Sequence, residues 1–174
     1  MRCPPRLRPA TADDASSLAA LSVEVWLSTY IRRGINAHFA DYALAEFTAA
    51  RFAARLADPK ETFTVSCNAE GIDGFLRLTD GSRAPVEGCS DTEIATLYVQ
   101  PRHQGRGIGA ALLSAALDQC RAAGAPAPWL AVNAENDAAL RFYTAHGFHV
   151  AGETRFSFGG QSYPNLILSR RLGA

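Results

Sequence analysis

The chain has 174 residues, of which 48% are hydrophobic and 20% are charged. This composition is typical of a globular protein and excludes a disordered one, and the length predicts a single domain over residues 1–174 with a core that needs no metal or disulfide. Because 17 basic residues balance 17 acidic ones, no overall charge draws the chain to nucleic acid or to an anionic membrane.

The four cysteines lie far apart, with no CxxC pair and no histidine at metal-ligand spacing. They are Cys3, Cys67, Cys89 and Cys120. We interpret them as reduced packing residues and predict no metal site. The amino-terminal segment MRCPPRLRPATADD lacks the apolar stretch of a signal peptide, and no apolar run is long enough to span a bilayer. These features predict a cytoplasmic protein.

The first third of the chain predicts a short strand and two helices. Residues 7–10 suit a strand, and Thr11, followed by acidic residues, suits a helix start. The first helix should end between Ser28 and Gly34, because apolar residues recur at helical spacing up to Trp26. A second helical pattern runs from about Asp41 to Ala57 and ends before Pro59.

The rest of the chain predicts six strands and two helices. The strands are expected at 62–68, 72–78, 93–99, 129–133, 148–158 and 161–172. Glycine turns at Gly71 and at Gly159 with Gly160 join the first two and the last two into hairpins. A helix over 107–123 ends at Gly124 and connects two neighbouring strands, which should therefore be parallel. A last helix is capped by Asn136 and ends near His146.

The segment Glu93–Ala110, EIATLYVQPRHQGRGIGA, joins a strand to a helix through a glycine-rich loop. Glycines let the backbone approach a ligand, and the N–H groups at a helix start favour an anion such as a pyrophosphate. From Gly105 the loop fits the dinucleotide pattern GxGxxG/A. However, no carboxylate follows at residues 126–131 to hold a ribose, and too many elements precede the loop. The absence of GK[ST] excludes a nucleotide-triphosphate P-loop.

Read from Gln104, the same loop fits the pattern QxxGxG. A second block, N..A..FY...GF, follows downstream and comprises Asn136, Ala139, Phe142, Tyr143, Gly147 and Phe148. With both blocks in this order, the chain resembles the Gcn5-related N-acetyltransferase (GNAT) superfamily over nearly its whole length. The resemblance implies an α/β (α+β) fold with about four helices. Its mixed central sheet would have six to seven strands, splayed between the fourth and the fifth.

The resemblance also implies acetyl-CoA as co-substrate, without a metal. Backbone amides of the loop would bind the pyrophosphate, and these belong to Gln104, Gly105, Arg106, Gly107, Ile108, Gly109 and Ala110. Backbone groups of Leu97 and Val99 would pair with the pantetheine arm, and Asn136 would bond to the same arm. The alternative is a tight turn that binds no ligand.

Direct acetyl transfer to an amine needs a base, an oxyanion donor and a proton for the leaving thiolate. An alkylammonium has a pKa of about 10.4 and must lose its proton. Glu93 is the candidate base and would act through water, because family members carry a glutamate at this strand position. Water as the base in place of Glu93 is the alternative. Tyr143 matches the family's tyrosine and is the candidate acid, and the Val99 N–H is the candidate oxyanion donor. The alternative for Glu93 is a solvated carboxylate at the strand end. The alternative for Tyr143 is a core aromatic ring beside Phe142 and Phe148.

In this superfamily the acceptor pocket is built by the first two helices and the last hairpin. Here these segments supply aromatic residues that could line such a pocket or belong to the core: Trp26, Tyr30, Phe39, Tyr42, Phe156, Phe158 and Tyr163. The chain is similar to the bacterial polyamine N-acetyltransferase subgroup in LSVEVWLSTY, EIATLYV and F.FG.....NLIL.RRL. It departs from that subgroup at Asn165, where an aspartate is frequent, and at the cations Arg32 and Arg33. Compensating charge is available from Glu24, Asp41, Glu46 and Asp91.

The sequence therefore predicts an acetyl-CoA-dependent N-acetyltransferase that acts on a small amine or polyamine. Acetylation of a peptide N-terminus or an antibiotic, and a non-catalytic acyl-CoA-binding sensor, are the alternatives. The expected partner is a small-molecule amine, with no nucleic acid and no membrane, and a homodimer is left open. Among the histidines, only His38, near the acceptor side, is kept as a remote candidate for a functional residue.

Overall fold

The computed structural model describes residues 5–31 and 33–173. Two predicted features, Cys3 as a packing residue and Arg32 as a cation near the acceptor, lie outside these ranges. The elements are β1 (Arg6–Pro9), α1 (Ala15–Tyr30), α2 (Ala37–Glu46), α3 (Ala49–Leu56), β2 (Glu61–Cys67), β3 (Ile72–Asp80), β4 (Thr92–Val99), α4 (Ile108–Ala122), β5 (Trp129–Asn133), α5 (Asp137–Ala145), β6 (His149–Phe158) and β7 (Gln161–Ser169). Short 3₁₀ turns precede α1 and follow β4.

The seven strands form one sheet in the order β1-β2-β3-β4-β5-β7-β6. β4 and β5 are parallel, whereas β7 is antiparallel to both β5 and β6. Within the described residues the β4–β5 register consists of one Cα pair, Glu93 with Trp129, at the amino ends of both strands. A register limited to that end fits the predicted splay. The predicted mixed α/β class is confirmed, with five α-helices among the described residues where about four were expected.

The chain divides into two compact units. The first comprises Met1–Arg77 and Thr96–Ala116, and the second comprises Leu78–Ala95 and Leu117–Ala174. The expectation of one domain over residues 1–174 stays a prediction. No helix within the described ranges is long and apolar enough to cross a membrane.

The start of α1 is organised by the carboxylate of Asp14. Its Oδ2 accepts a hydrogen bond from the Thr11 N–H at 2.8 Å, and the Arg8 guanidinium donates to both oxygens at 2.7 and 2.9 Å. The predicted helix start at Thr11 is therefore a 3₁₀ turn, Ala12–Asp14, that leads directly into α1. The hydrogen bond from Arg8, helped by that from Thr11, holds the pKa of Asp14 below its usual value despite burial, which opposes the shift.

The prediction of one helix from Asp41 to Ala57 is wrong, because the segment contains two helices. α2 ends at Glu46, and Thr48 has an extended backbone with φ −105° and ψ 150°. The Thr48 Oγ1 accepts a hydrogen bond from the Arg51 N–H at 3.2 Å and caps α3. Threonine is a favourable N-cap residue, so this break had a signal in the sequence that the continuous apolar pattern concealed.

Each unit has its own buried apolar core. In the first unit α1 and α3 pack with β2 and β3 through Leu18, Leu21, Val25, Phe52, Phe63, Val65 and Phe75. In the second unit Trp129 of β5 and Ile167 of β7 pack with Ala84 of the loop between β3 and β4. Burying one large apolar side chain stabilises the fold by about 1.5–3 kcal/mol, so these clusters position the elements that carry the candidate site.

The three cysteines within the described residues, Cys67, Cys89 and Cys120, are free thiols. Cys120 is only 1% exposed, and burial raises the pKa of its thiol to about 11. A thiol in such surroundings stays protonated and unreactive at neutral pH. Cys120 therefore packs in the core, as predicted.

Replacing Asp14 by Asn should lower the free energy of unfolding at pH 7 by about 1–2 kcal/mol, because the charge-assisted bonds to Arg8 are lost. The expected loss of stability is small because the Arg8 side chain is 43% exposed, so water screens its interaction with Asp14. Since the folded-state pKa is depressed, this stabilisation is complete above the unfolded value near 3.8 and is lost as pH falls through the folded value. Urea unfolding as a function of pH should show the two proteins converging in acid. Asp13→Asn, at an exposed neighbour, serves as the control, and equal stability of wild type and Asp14→Asn at pH 7 would refute the role.

Candidate active site

The glycine-rich loop of the first unit connects the 3₁₀ turn Pro101–His103 to the start of α4 at Ile108. Gly105 and Gly107 have φ of 71° and 87°, a left-handed conformation that other residues adopt only with strain. Apart from each glycine and its two chain neighbours, no heavy atom of the described residues lies within 4 Å of the position that a Cβ would take at either glycine. The loop backbone is therefore open to a ligand.

The amides at the start of α4 are the groups suited to an anion. Residues 104–107 are exposed, whereas the Ile108 side chain is buried, so Ile108 can contribute only its backbone. The Ala111 N–H donates to the Gly107 carbonyl at 3.0 Å and closes the first helical turn. The amides before Ala111 have no carbonyl partner four residues earlier within the helix, and the helix dipole adds positive potential there. This geometry favours a pyrophosphate.

Three hydrogen bonds fix the turn from which the loop departs. The Gln104 Nε2 donates to the Val99 carbonyl at 3.2 Å. The Gln100 Nε2 donates to Glu24 on α1 at 2.8 Å, and the Gln100 N–H donates to the Asp73 carbonyl on β3 at 2.9 Å. The end of β4 is thus tied to both α1 and β3, and the sequence motif gave no sign of these partners.

Gly74 on β3 allows the start of α4 to lie close to the sheet. A Cβ at this position would lie 3.0 Å from the Tyr98 carbonyl oxygen and 3.1 Å from Ile108 Cγ2. Both distances are shorter than ordinary contacts, so a larger residue would displace the strand or the helix. Gly74 therefore supports the loop indirectly, through packing.

The second unit holds Glu93, the predicted base, at the amino end of β4. Its Oε2 accepts a hydrogen bond from the Ser82 hydroxyl at 2.7 Å. Ser82 is itself held by its backbone, because its carbonyl accepts from the Trp129 indole N–H and its N–H donates to the Asp91 carbonyl, both at 2.9 Å. The carboxylate is therefore oriented by a loop serine. Sequence reasoning missed Ser82, since the loop carries no motif.

Asn136 and Tyr143 lie at the start and on the last turns of α5. The Asn136 Oδ1 accepts from the Ala139 N–H at 3.1 Å, as predicted for a cap, and the amide nitrogen is the hydrogen-bond donor of the same side chain. Tyr143 is 8% exposed and packs against Phe142 and Phe148 with ring centroids 5.2 and 5.6 Å apart. Burial raises the pKa of Tyr143, so the phenol stays protonated at neutral pH.

The candidate residues therefore fall into two groups. The first unit brings together Leu97, Val99 and the loop 104–110, and the second contains Glu93, Asn136 and Tyr143. No group of three or more His, Cys, Asp or Glu side chains that could hold a metal ion exists within residues 5–31 and 33–173.

The predicted aromatic residues form one cluster in each unit. In the first, Trp26 is buried and its ring centroid lies 4.9 Å from that of Tyr30, 5.0 Å from Tyr42 and 5.7 Å from Phe39. Trp26 is the core member of this cluster, Phe39 and Tyr42 are half-buried, and Tyr30 is exposed at 38%. In the second, the rings of Phe158 and Tyr163 stack 5.2 Å apart, beside Phe156.

A cavity of about 760 Å³ lies in the loop between β3 and β4 of the second unit. Its walls are Arg83, Ala84, Pro85, Val86, Glu87, Gly88, Cys89 and Asp91. None of the predicted catalytic or cofactor residues is among them. The cavity therefore does not by itself mark the site, although it lies in the loop that supplies Ser82.

Comparison with known proteins identifies the family. A family model described as "Acetyltransferase (GNAT) family" matches residues 25–148, well over half of the chain. The chain belongs to this acetyltransferase family. An uncharacterized N-acetyltransferase of Mycobacterium bovis is 30% identical over 159 residues, which cover 91% of this chain and 98% of the relative. The predicted acyltransferase class is therefore confirmed.

Solved structures show the same fold at low identity. The PaiA N-acetyltransferase of Thermoplasma acidophilum, solved in complex with coenzyme A, is 18% identical with a TM-score of 0.79, covering 98% of this chain and all of that one (100%). The putative acetyltransferase YncA of Salmonella typhimurium, solved with acetyl-CoA, is 20% identical with a TM-score of 0.69, covering 99% and 96%. The predicted co-substrate, acetyl-CoA, agrees with these complexes. The polyamine subgroup is not confirmed by these relatives.

Replacing Gly107 by Ala should weaken CoA binding at least about tenfold, because the side chain strains the loop and occupies the open space before the amides. Gly124→Ala is the matched control, since Gly124 ends the same helix with φ 72° and equally open surroundings. Both variants should lose similar stability, about 1–2 kcal/mol. Calorimetric titration with CoA should separate them, and equal affinities of the two variants would contradict the assignment of the loop.

Proposed function

We propose that this acetyltransferase moves the acetyl group of acetyl-CoA directly to the primary amine of a small molecule. The observation that carries the proposal is the exposed loop 104–107, with its left-handed glycines and open space at the start of α4. Backbone amides of Gln104–Ala110 would bind the pyrophosphate, and Leu97, Val99 and the Asn136 amide nitrogen would bind the pantetheine arm. The Val99 N–H would donate to the oxyanion.

Glu93 is the proposed base, acting directly or through water. The amine must lose a proton before it attacks, and a carboxylate held by a serine hydroxyl is pre-oriented to accept one. The bond from Ser82 occupies one oxygen, Oε2, and the second oxygen is the one proposed to face the amine or water.

Tyr143 is the proposed acid that protonates the departing thiolate. Because burial raises the pKa of Tyr143, the phenol would protonate a water-exposed thiolate only weakly, since the corresponding thiol has a lower pKa of about 8.5. A thiolate formed in equally apolar surroundings would also be destabilised, and its basicity would rise with it. Proton transfer is therefore proposed to accompany cleavage of the C–S bond, with the phenol bonded to sulfur throughout.

The charges near α1 and α2 favour a small amine of low charge over a polyamine. Glu24 bonds to Gln100 and Arg102, and Glu46 forms ion pairs with two arginines of α3. Two of the four carboxylates that would attract a polycation therefore serve other partners. A panel that includes a monoamine, a polyamine and a peptide with a free N-terminus tests this order of preference through the rates of CoA release.

Glu93→Gln should lower kcat/KM for the amine about 10²-fold at neutral pH, because the amide cannot accept the proton. CoA affinity should stay near that of wild type. Glu153→Gln, at an exposed carboxylate on β6, is the matched control and should retain activity. The measurement is steady-state CoA release with the best amine of the panel. A loss below about threefold for Glu93→Gln would remove Glu93 from the mechanism and leave water as the base.

Tyr143→Phe should lower kcat about 10²-fold while KM for acetyl-CoA changes little, because only the phenolic proton is removed from a packed site. Tyr98→Phe, at a ring that packs against Phe75 in the core of the first unit, is the control and should retain activity. If wild type binds CoA but turns over no amine in the panel, the non-catalytic acyl-CoA sensor replaces the enzyme.

A further inference from the structure

We propose that Asp73 and His103 form a positioning pair whose hydrogen bond closes when the loop Gln104–Ala110 binds CoA. The inference rests on the proposed CoA site and adds two residues that do not themselves contact the ligand. It comes from two buried polar groups, the Asp73 carboxylate on β3 and the His103 imidazole on the turn before the loop, which approach to 3.9 Å without a hydrogen bond.

Asp73 is a charged residue inside the apolar strand β3. Its side chain is 9% exposed, and its Oδ2 accepts from the Asn68 Nδ2 at 3.3 Å. Its Oδ1 has no hydrogen-bond partner among the described residues. A buried carboxylate oxygen without a donor is costly, and native structures contain few, so its presence requires a physical reason.

His103 is the last residue of the 3₁₀ turn and directly precedes the loop. Its Nδ1 is buried and likewise lacks a partner within the described chain, and it lies 3.9 Å from the Asp73 Oδ2. This separation exceeds the roughly 2.7–3.2 Å of a hydrogen bond by about 1 Å. A potential donor and an acceptor therefore face each other, one small displacement short of bonding.

The other contacts around this turn are already made. The Gln100 N–H donates to the Asp73 carbonyl at 2.9 Å, and the His103 N–H donates to the Gln100 carbonyl at 2.8 Å. The main chain of Asp73 thus fixes the beginning of the turn. Its side chain lies near His103, at the end of the turn, without a hydrogen bond to it. Because Gln104 follows His103, a displacement that closes the pair also moves the first residue of the loop.

Closure couples the pair to ligand affinity. If the bond forms only when the loop is drawn around CoA, its free energy is gained only in the bound state and therefore raises affinity. In the ligand-free protein this bond is absent, while the unpartnered Asp73 Oδ1 and His103 Nδ1 still cost desolvation. Apolar substitution should therefore have opposite effects on the stability of the free protein and on CoA binding.

The test is a double-mutant cycle with Asp73→Val, His103→Phe and the double variant, using calorimetric titration with CoA. Each single variant should bind CoA about tenfold more weakly, a typical effect for residues that orient binding groups. The double variant should also be about tenfold weaker, since either substitution alone already removes the bond. His103→Asn keeps an N–H donor close to Nδ1 and should recover most of the affinity.

Two further readings separate positioning from a structural role. The melting temperature of ligand-free Asp73→Val should not fall below that of wild type, because removal of the unbonded buried Oδ1 offsets the loss of the 3.3 Å bond from Asn68. With saturating amine and varied acetyl-CoA, the KM of each single variant for acetyl-CoA should rise about tenfold while kcat stays within about twofold. A destabilised Asp73→Val that binds CoA normally would assign the pair to folding alone.

An additive cycle, with the double variant about a hundredfold weaker, would overturn the inference. Such a result with normal CoA binding by wild type leaves the proposed function intact. If wild type fails to bind CoA, the proposed function fails first, and the positioning role fails with it.

Discussion

The backbone hydrogen bond from Gln100 to Asp73, at 2.9 Å, joins β3 to the point where β4 ends. The loop that follows cannot fix its own direction, because its glycines favour no single conformation and its residues are exposed. The direction comes instead from the turn at its base, which is bonded to β3 by this bond and to α1 through Glu24. Because this base holds the amides close to their binding arrangement, CoA has only the small closure between His103 and Asp73 left to impose, which limits the entropy cost of binding.

Hydrogen bonds from a packed support also orient the Glu93 carboxylate in the second unit. Glu93 is near a strand end, where a side chain would ordinarily be solvated and mobile. The Ser82 hydroxyl bonds to one of its oxygens, and the Trp129 indole holds Ser82 through the backbone. Trp129 belongs to the apolar core of this unit, so the orientation of a polar group depends on apolar packing. Rigid support of this kind is what catalytic groups require.

Burial also separates the roles of the titratable side chains. The buried Cys120 thiol and the buried Tyr143 phenol both stay protonated, because desolvation disfavours their charged forms. Only the phenol belongs to one of the two sequence blocks, because Cys120 lies near the end of α4 opposite to the cofactor loop. The unbonded Asp73 oxygen is the opposite case, a buried acceptor whose cost is explained by function at the adjacent loop.

The sequence by itself determined the order of the elements and the type of the loop. Periodicity, glycine turns and the Asn136 cap are local properties, and they located β5 at its observed bounds and the closing hairpin around Gly159 and Gly160. It erred where two local signals competed, as at Thr48, where a cap interrupts an otherwise continuous apolar pattern. Only the tertiary structure decided the support of the site. Ser82 lies 11 residues from Glu93, and Gln100 lies 76 residues from Glu24, so their contacts follow from packing between distant segments that no local pattern encodes. The charged Asp73 in an apolar strand was visible in the sequence, but its unpartnered oxygen and its approach to His103 were not, because burial and distance are properties of the folded chain.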